Sequence, residues 1–295
     1  MIRRAALALL LLLGGGAQAA TVHSLSQVPG QLKTPEGAAH FAQQIAGDPA
    51  PDLLGARHLP EGLSAAAIGK FLLPAGEQAA PSLVGARHWH DDLYVAIACI
   101  GGAGPLAPGQ PQCANADGDA AAVRVYLGVI AMPAGAAPRL VAASGRWNVR
   151  MDWGHTRLPG EPATANGDDP ISPQDFSGFD LANYLIAPGV RAFGLRGDWQ
   201  ESYSGGGASY TGLYLFVPDG DRLRLVLAAP MSAFSDIAGD WHKDGTRDHD
   251  VTDVGNVLVM LPHQTAGHFD VELRQRRGKG RQVWRWDAAR STYRP

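Results

Sequence analysis

Hydrophobic and polar positions divide the chain into three stretches of different period. From Met1 to Ala19 a basic start, Arg3-Arg4, leads into an unbroken apolar run from Ala5 to Leu13 and then to Ala17-Gln18-Ala19. After Thr34, apolar residues recur at helical spacing at Ala38, Phe41, Ala42 and Ile45. Thr34 is placed to cap that helix, Pro35 suits its first position and Gly47 can end it. A second short helix is expected around Ser64 to Phe71. From about Ser82 the period changes to short apolar runs rich in Val, Ile, Leu, Tyr and Trp, the composition of strands. Leu83 to His90 and Leu93 to Cys99 flank Asp91-Asp92. Val123 to Met132 and Arg139 to Ala143 flank Pro133-Ala134-Gly135. Tyr210 to Val217 and Arg222 to Ala228 flank Pro218-Asp219-Gly220-Asp221. Asn256 to Leu261 pairs with Phe269 to Arg276, and Gln282 to Trp286 with Thr292 to Arg294. Strands joined by such short turns pair antiparallel. The expected fold is therefore mainly β, with antiparallel hairpin-built sheets in a sandwich, barrel or propeller-like arrangement and one or two short N-terminal helices. Residues 20–81 form a helical or irregular segment and 82–295 a β-rich body. The Pro-, Gly- and Asp-rich stretch 157–174 is a long loop and a candidate boundary within it.

The first stretch changes the setting. A basic start, a short apolar core and an Ala-x-Ala exit are the three parts of a secretory signal peptide, with cleavage expected after Ala19. The apolar run is too short to cross a bilayer, which takes about 20 residues of helix. The expected location is periplasmic or secreted, with no membrane span once the signal is removed. Residues 1–19 carry two basic and no acidic residues, so their loss moves the formal charge from −3 to −5. A mildly acidic chain without a basic block argues against nucleic acid as partner. In this compartment the two cysteines, Cys99 and Cys113, read as one disulfide that staples a Gly/Pro-rich loop, worth roughly 3 kcal/mol on loop-closure grounds.

Three clusters can carry chemistry. His88 and His90 flank Trp89 on a strand and would share a face, with Asp91 or Asp92 close by. That is a transition-metal pattern, or else the solvent face of a hairpin arm whose Trp89 enters the core. Trp199 and Tyr203 stand before Ser204-Gly205-Gly206-Gly207, as candidate ligand contacts beside a loop that a ligand or a neighbouring backbone can approach closely. No Lys-Ser/Thr follows the glycines, so a phosphate loop is disfavoured. The third cluster is Asp240-Trp241-His242-Lys243-Asp244-Gly245-Thr246-Arg247-Asp248-His249-Asp250. Asp240, Asp244, Gly245 and Asp248 fall at positions one, five, six and nine of a cation loop, where alternate carboxylates supply the oxygens that Ca²⁺ requires. This stretch resembles the calcium loops of FG-GAP-type β-propellers, which implies calcium as a ligand. It departs from them at position three, where His242 replaces Asp or Asn. Lys243 and Arg247 add positive charge, and a solvated polar turn explains the same residues.

The C-terminal stretch alternates aromatic and polar residues at Trp284-Arg285-Trp286, which places both Trp on one face of a closing strand. With Phe269-Asp270-Val271-Glu272-Leu273 it loosely resembles the endings of exported bacterial proteins of unknown function. No catalytic order is recognisable. The reading is an exported, non-catalytic interaction protein with a macromolecular partner. Its rivals are a metal-dependent hydrolase built from His88, His90, His242, His249 and nearby carboxylates, and a β protein stabilised by structural calcium.

Overall fold

The structure is a computed structural model that describes residues 19–43, 51–101, 113–114, 123–147, 150–154, 156–163 and 171–295. The signal peptide expected at residues 1–19 lies outside it but for Ala19, as do the predicted helix end at Ile45–Gly47 and residues 164–170 of the long loop. The chain is mainly β. After the short strand β1 (Ala20–Val22) and a 3₁₀ segment (Leu25–Gln31) come helices α1 (Pro35–Phe41) and α2 (Ala65–Leu72). Twelve strands follow: β2 (Leu83–His90), β3 (Leu93–Ile100), β4 (Arg124–Ala131), β5 (Arg139–Trp147), β6 (Asp175–Ala187), β7 (Val190–Tyr203), β8 (Gly206–Asp219), β9 (Arg222–Trp241), β10 (Arg247–Thr265), β11 (His268–Gln275), β12 (Arg281–Asp287) and β13 (Thr292–Arg294). Both helices start where the capping residues place them. The Thr34 hydroxyl accepts from Gly37 N–H at 2.9 Å, and the Ser64 hydroxyl accepts from Ala67 N–H at 3.2 Å.

All strands join one mixed sheet that does not close into a barrel. Strands joined by short turns pair antiparallel, as at β2–β3, β6–β7, β7–β8 and β8–β9. The one parallel contact among the described residues sets Ala143 of β5 against Arg222 of β9 and links β2–β5 to the rest. β9 is the pivot. It pairs with β8 along most of its length and with the first half of β10 beyond Ser232, while the second half of β10 pairs with β11. The long central strands absorb their bends at register shifts, one between Thr211 and Gly212 opposite Pro230. Pro lacks the ladder N–H and is tolerated where the ladder is already broken.

The central strands β3, β4 and β8 are buried on both faces. On β3, Val95, Ile97 and Cys99 face a core shared with Phe193, Leu195, Trp199, Tyr214 and Phe216 of β7 and β8. Ala96, Ala98 and Ile100 face the opposite way, under Ile68 and Leu72 of α2. Small residues on that outer face let the helix sit close: a Cβ on Gly128 would stand 2.3 Å from a methyl of Leu72. On β8 the alternation runs the other way, with Leu213, Leu215 and Val217 facing a second core built with Val271, Leu273, Trp284, Trp286 and Tyr293. Trp284 and Trp286 thus share an inward face, and Arg285 points out. The expected N-terminal segment packs onto the body at several places, among them α2 over β2–β4, Leu54 in the first core, and the 3₁₀ segment with Val22 against Phe234 and Val251. Cys99 and Cys113 are disulfide-bonded, with Cα atoms 5.6 Å apart, and join the first core.

Candidate functional site

Two hairpins turn side by side at one end of the sheet. The first joins β7 to β8 through Ser204-Gly205, and the second joins β9 to β10 through His242 to Thr246. The glycine run serves this contact. Gly205 sits at φ +95°, where only glycine is unstrained, and a Cβ on Gly206 would lie 2.0 Å from the carbonyl oxygen of Asp236. The neighbouring backbone of β9 therefore occupies the space beside Gly206. The tips are tied together by Ala238 N–H donating to Gly205 O at 3.0 Å, while Arg247, whose Nε donates to Gly239 O at 2.8 Å within the second hairpin, lies beside Gly205.

The acidic loop resolves into a hairpin turn with divided duties. Gly245, at φ +84°, makes the reversal, and His242 N–H donates to Thr246 O at 2.8 Å. Asp244 Oδ1 accepts from Thr246 N–H at 3.0 Å and from its hydroxyl at 2.7 Å, and these bonds hold the carboxyl below the usual carboxylate range. Asp240 is an exposed residue near the end of β9. Asp248 turns away from both. Its Oδ1 accepts from His242 Nε2 at 2.7 Å and from His23 Nδ1 at 2.8 Å, and these two bonds depress its pKa. Asp240, Asp244 and Asp248 therefore do not converge on one point, because a β-hairpin sends the residues of its two arms along an extended ladder and does not wrap them round an ion. Among the described residues one group brings three metal-ligating atoms within 4.8 Å of one another: His23, His242 and Asp248. His23 and His242 line an open depression with Lys243, Asp244 and Thr246.

His23 reaches the site through β1. That strand lies along β10 with Thr21 opposite Asp250 and Val22 opposite His249, and the Thr21 hydroxyl donates to Asp250 Oδ1 at 2.5 Å. The next residue is carried onto the tip. His249, one of the histidines of the hydrolase reading, donates from Nδ1 to buried Asp236 Oδ1 at 2.8 Å. His88 and His90 are elsewhere. A register shift separates them, His88 Nε2 donates to Asp91 O at 2.9 Å, and His90 Nδ1 donates to Asp91 Oδ2 at 2.9 Å. Trp89 enters the core against Phe193, as alternation predicts. The charge of Arg191 acts on Asp91, which places this turn beside the start of β7, whereas Tyr203 and the β9–β10 tip lie at the other end of that strand. The two histidine clusters do not form one site.

Trp199 is a core residue, 2% exposed and edge-on to Trp153 at 5.4 Å, because it shares the inward parity of β7 with Phe193 and Leu195. It is removed as a ligand contact. Tyr203 is 46% exposed at the tip, with Ile237 at 40% and Trp241 at 69%. The Arg247 guanidinium lies 5.2 Å from the Trp241 ring centroid and covers one face of it. Family models, curated proteins and solved structures give no match. The tip is therefore read on its own geometry, which offers an aromatic surface with a cationic neighbour and a pair of imidazoles on one carboxylate. His23 and Ile237 carried no signal in the sequence; their only mark was position, and the pairing that gives it meaning spans more than two hundred residues.

A second group of ionisable residues lies in the interior. Asp175 and Asp198 stand opposite each other in the β6–β7 ladder. Burial and the Asp198 charge push the Asp175 carboxyl well above the usual range, and burial also raises Asp198. An un-ionised Asp175 supplies the donor that two buried carboxylate oxygens side by side require. The Thr211 hydroxyl donates to Asp198 at 2.5 Å.

Proposed function

We propose that this is an exported, non-catalytic binding protein that engages a macromolecular partner through the β7–β8 and β9–β10 tips. The observation that carries the reading is the clustering of Trp241, Tyr203 and Ile237, three of the six exposed large hydrophobic residues among those described. Register explains why they gather: Tyr203 and Ile237 both lie against Gly206, and Trp241 lies against Arg247. Trp, Tyr and Arg are the residues that dominate binding energy when a partner excludes water from them. The two stitched hairpins present them on a rigid base, which lowers the ordering cost of binding. Export is supported by the Met1–Ala19 pattern, by the disulfide, and by the lack of any described helix long and apolar enough to cross a membrane. The mildly acidic balance argues for a partner other than nucleic acid.

The test is site-specific photo-crosslinking in the producing cells. A photoreactive residue at position 241 is expected to give a discrete adduct that the same residue at Arg277, in the exposed β11–β12 turn, does not. Tyr203→Ala in the position-241 protein should weaken that adduct. No adduct at 241, or equal adducts at both positions, overturns the reading.

A further inference from the structure

We propose that His23, His242 and Asp248 form a binding site for a single divalent transition-metal ion of the zinc class. The site joins the start of the chain to the β9–β10 tip. Two imidazoles and one carboxylate select against calcium and magnesium, which take oxygen ligands, and suit Zn²⁺ and its neighbours. Three protein ligands also leave a coordination position for water or for a donor brought by another molecule.

The hydrogen bonds already in place bring the three ligand atoms to one point. Both His23 Nδ1 and His242 Nε2 aim at one oxygen, Asp248 Oδ1, at 2.8 and 2.7 Å. An ion would take the place of the two N–H hydrogens that point at Asp248 Oδ1, each neutral ring then carrying its N–H on the other nitrogen. Ligand atoms about 2.1 Å from a tetrahedral ion stand roughly 3.4 Å apart. The bonds must therefore open by about 0.6–0.7 Å, a small rotation of Asp248 and of His23, whose side chain is 74% exposed. The His23 and His242 ring centroids are 5.5 Å apart and nearly perpendicular, so the rings approach one point without stacking on each other. Lys243 lines the same depression and opposes a cation. Asp244 beside it restores the balance and is held by Thr246 away from the ligand set. The ligands come from two directions: β1 places His23, and the β9–β10 hairpin places the other two. The site therefore exists only when the N-terminal strand is docked. It does not depend on the partner-binding reading, since the metal alone is the probe.

The experiment is calorimetric titration of the metal-stripped protein, purified without a polyhistidine tag, with zinc chloride and with calcium chloride. One zinc per chain is expected, with no calcium heat. His23→Ala, a change at an exposed side chain, and Asp248→Asn should each weaken zinc binding about tenfold or more, with the circular dichroism spectrum unchanged. The double variant His88→Ala/His90→Ala should bind zinc as the parent does. Cobalt in place of zinc should give the intense visible absorption of a four- or five-coordinate ion in the parent and lose it in His23→Ala. Absence of zinc binding, binding that survives His23→Ala, or binding that disappears with His88→Ala/His90→Ala would each overturn the assignment.

Discussion

Replacing Asp253 with alanine should release the N-terminal segment from the body. Asp253 sits on β10 opposite Phe234 and is 3% exposed. Its carboxylate accepts from Thr34 N–H at 2.7 Å, from the Thr34 hydroxyl at 2.6 Å, and from Lys33 N–H. Thr34 in turn accepts from Gly37 N–H and so caps α1, and Gly37 packs so tightly that a Cβ there would stand 2.7 Å from the same carboxylate. Hydrogen bonds to a charged group contribute about 1.5–3 kcal/mol each, so three suggest about 4.5–9 kcal/mol. Two effects reduce that sum. The carboxylate no longer has to be desolvated, and Lys33, at the exposed edge of the segment, recovers water. A loss of about 3–5 kcal/mol is expected from urea unfolding followed by tryptophan fluorescence. Hydrogen exchange should show where the loss falls, with the amides of Lys33, Thr34 and Gly37 losing protection while those of β7 and β8 keep theirs. Asp253→Asn should lose less, because its amide oxygen still accepts. A loss under about 1 kcal/mol for the alanine variant, with Gly37 still protected, would refute the claim that this carboxylate holds the segment.

Reducing the Cys99–Cys113 bond, which closes a separation of 14 residues, should cost about 3 kcal/mol in the same urea assay and leave the secondary structure intact; no change on reduction would count against the staple. Arg196, largely buried, donates to Asp180 at 2.7 Å and to Glu36 of α1 at 3.0 Å. Arg196→Met should therefore lose about 2–4 kcal/mol by leaving Asp180 uncompensated and Glu36 with Arg276 at 3.7 Å as its remaining cation, and Asp180→Asn/Glu36→Gln in the same chain should restore part of it. The Asp175 pKa is raised in the fold, so the native state holds its proton more tightly than the unfolded chain. Stability from this group is full below the ordinary carboxylate pKa and is lost as pH rises through the folded value. Asp175→Asn, which keeps a donor toward Asp198, should be more stable than the parent at neutral pH and show a flatter stability profile above about pH 4; an unchanged profile would show that this carboxyl is ionised in the fold.

The strands that were legible in the sequence are those whose turns announce them. Pro218-Asp219-Gly220-Asp221 and Pro133-Ala134-Gly135 stand between β8 and β9 and between β4 and β5, and Thr34-Pro35 marks α1 to the residue. What escaped is the length of the central strands. β9 runs on to Trp241 through Pro230 and a string of small residues because neighbours cover both its faces, so alternation of polar and apolar residues is absent where the strand is most buried. β6 escaped for a related reason: its register shifts break the period of two, and glycine at position 178 is demanded by contact with Leu53, not by strand propensity. Choosing among sandwich, barrel and propeller was beyond any local pattern, since the shape depends on one parallel contact between Ala143 and Arg222.

The acidic run after Asp240 shows why spacing alone misleads. Counted along the chain, its aspartates match a loop that wraps a cation. Counted along a strand, they do something else. Asp248 takes His23, Asp250 takes Thr21, and Asp253 takes Lys33 and Thr34, so successive carboxylates of β10 bind successive parts of the N-terminal segment. The same strand holds β9 on its other edge. Its acidic edge is thus a docking rail for residues 20–34, and the two interactions nearest the tip are the exposed ones. The interior anchor at Asp253 fixes the segment whatever happens outside, which leaves His23 free to trade a proton for a metal ion without loosening the fold. On that argument Asp253→Ala should weaken zinc binding even though it touches no ligand, whereas His23→Ala should leave the protection of Gly37 unchanged. Stability and metal affinity would then be coupled, reciprocally, through the position of β1, and a parent-like zinc affinity in Asp253→Ala would show that β1 is held by its strand pairing alone.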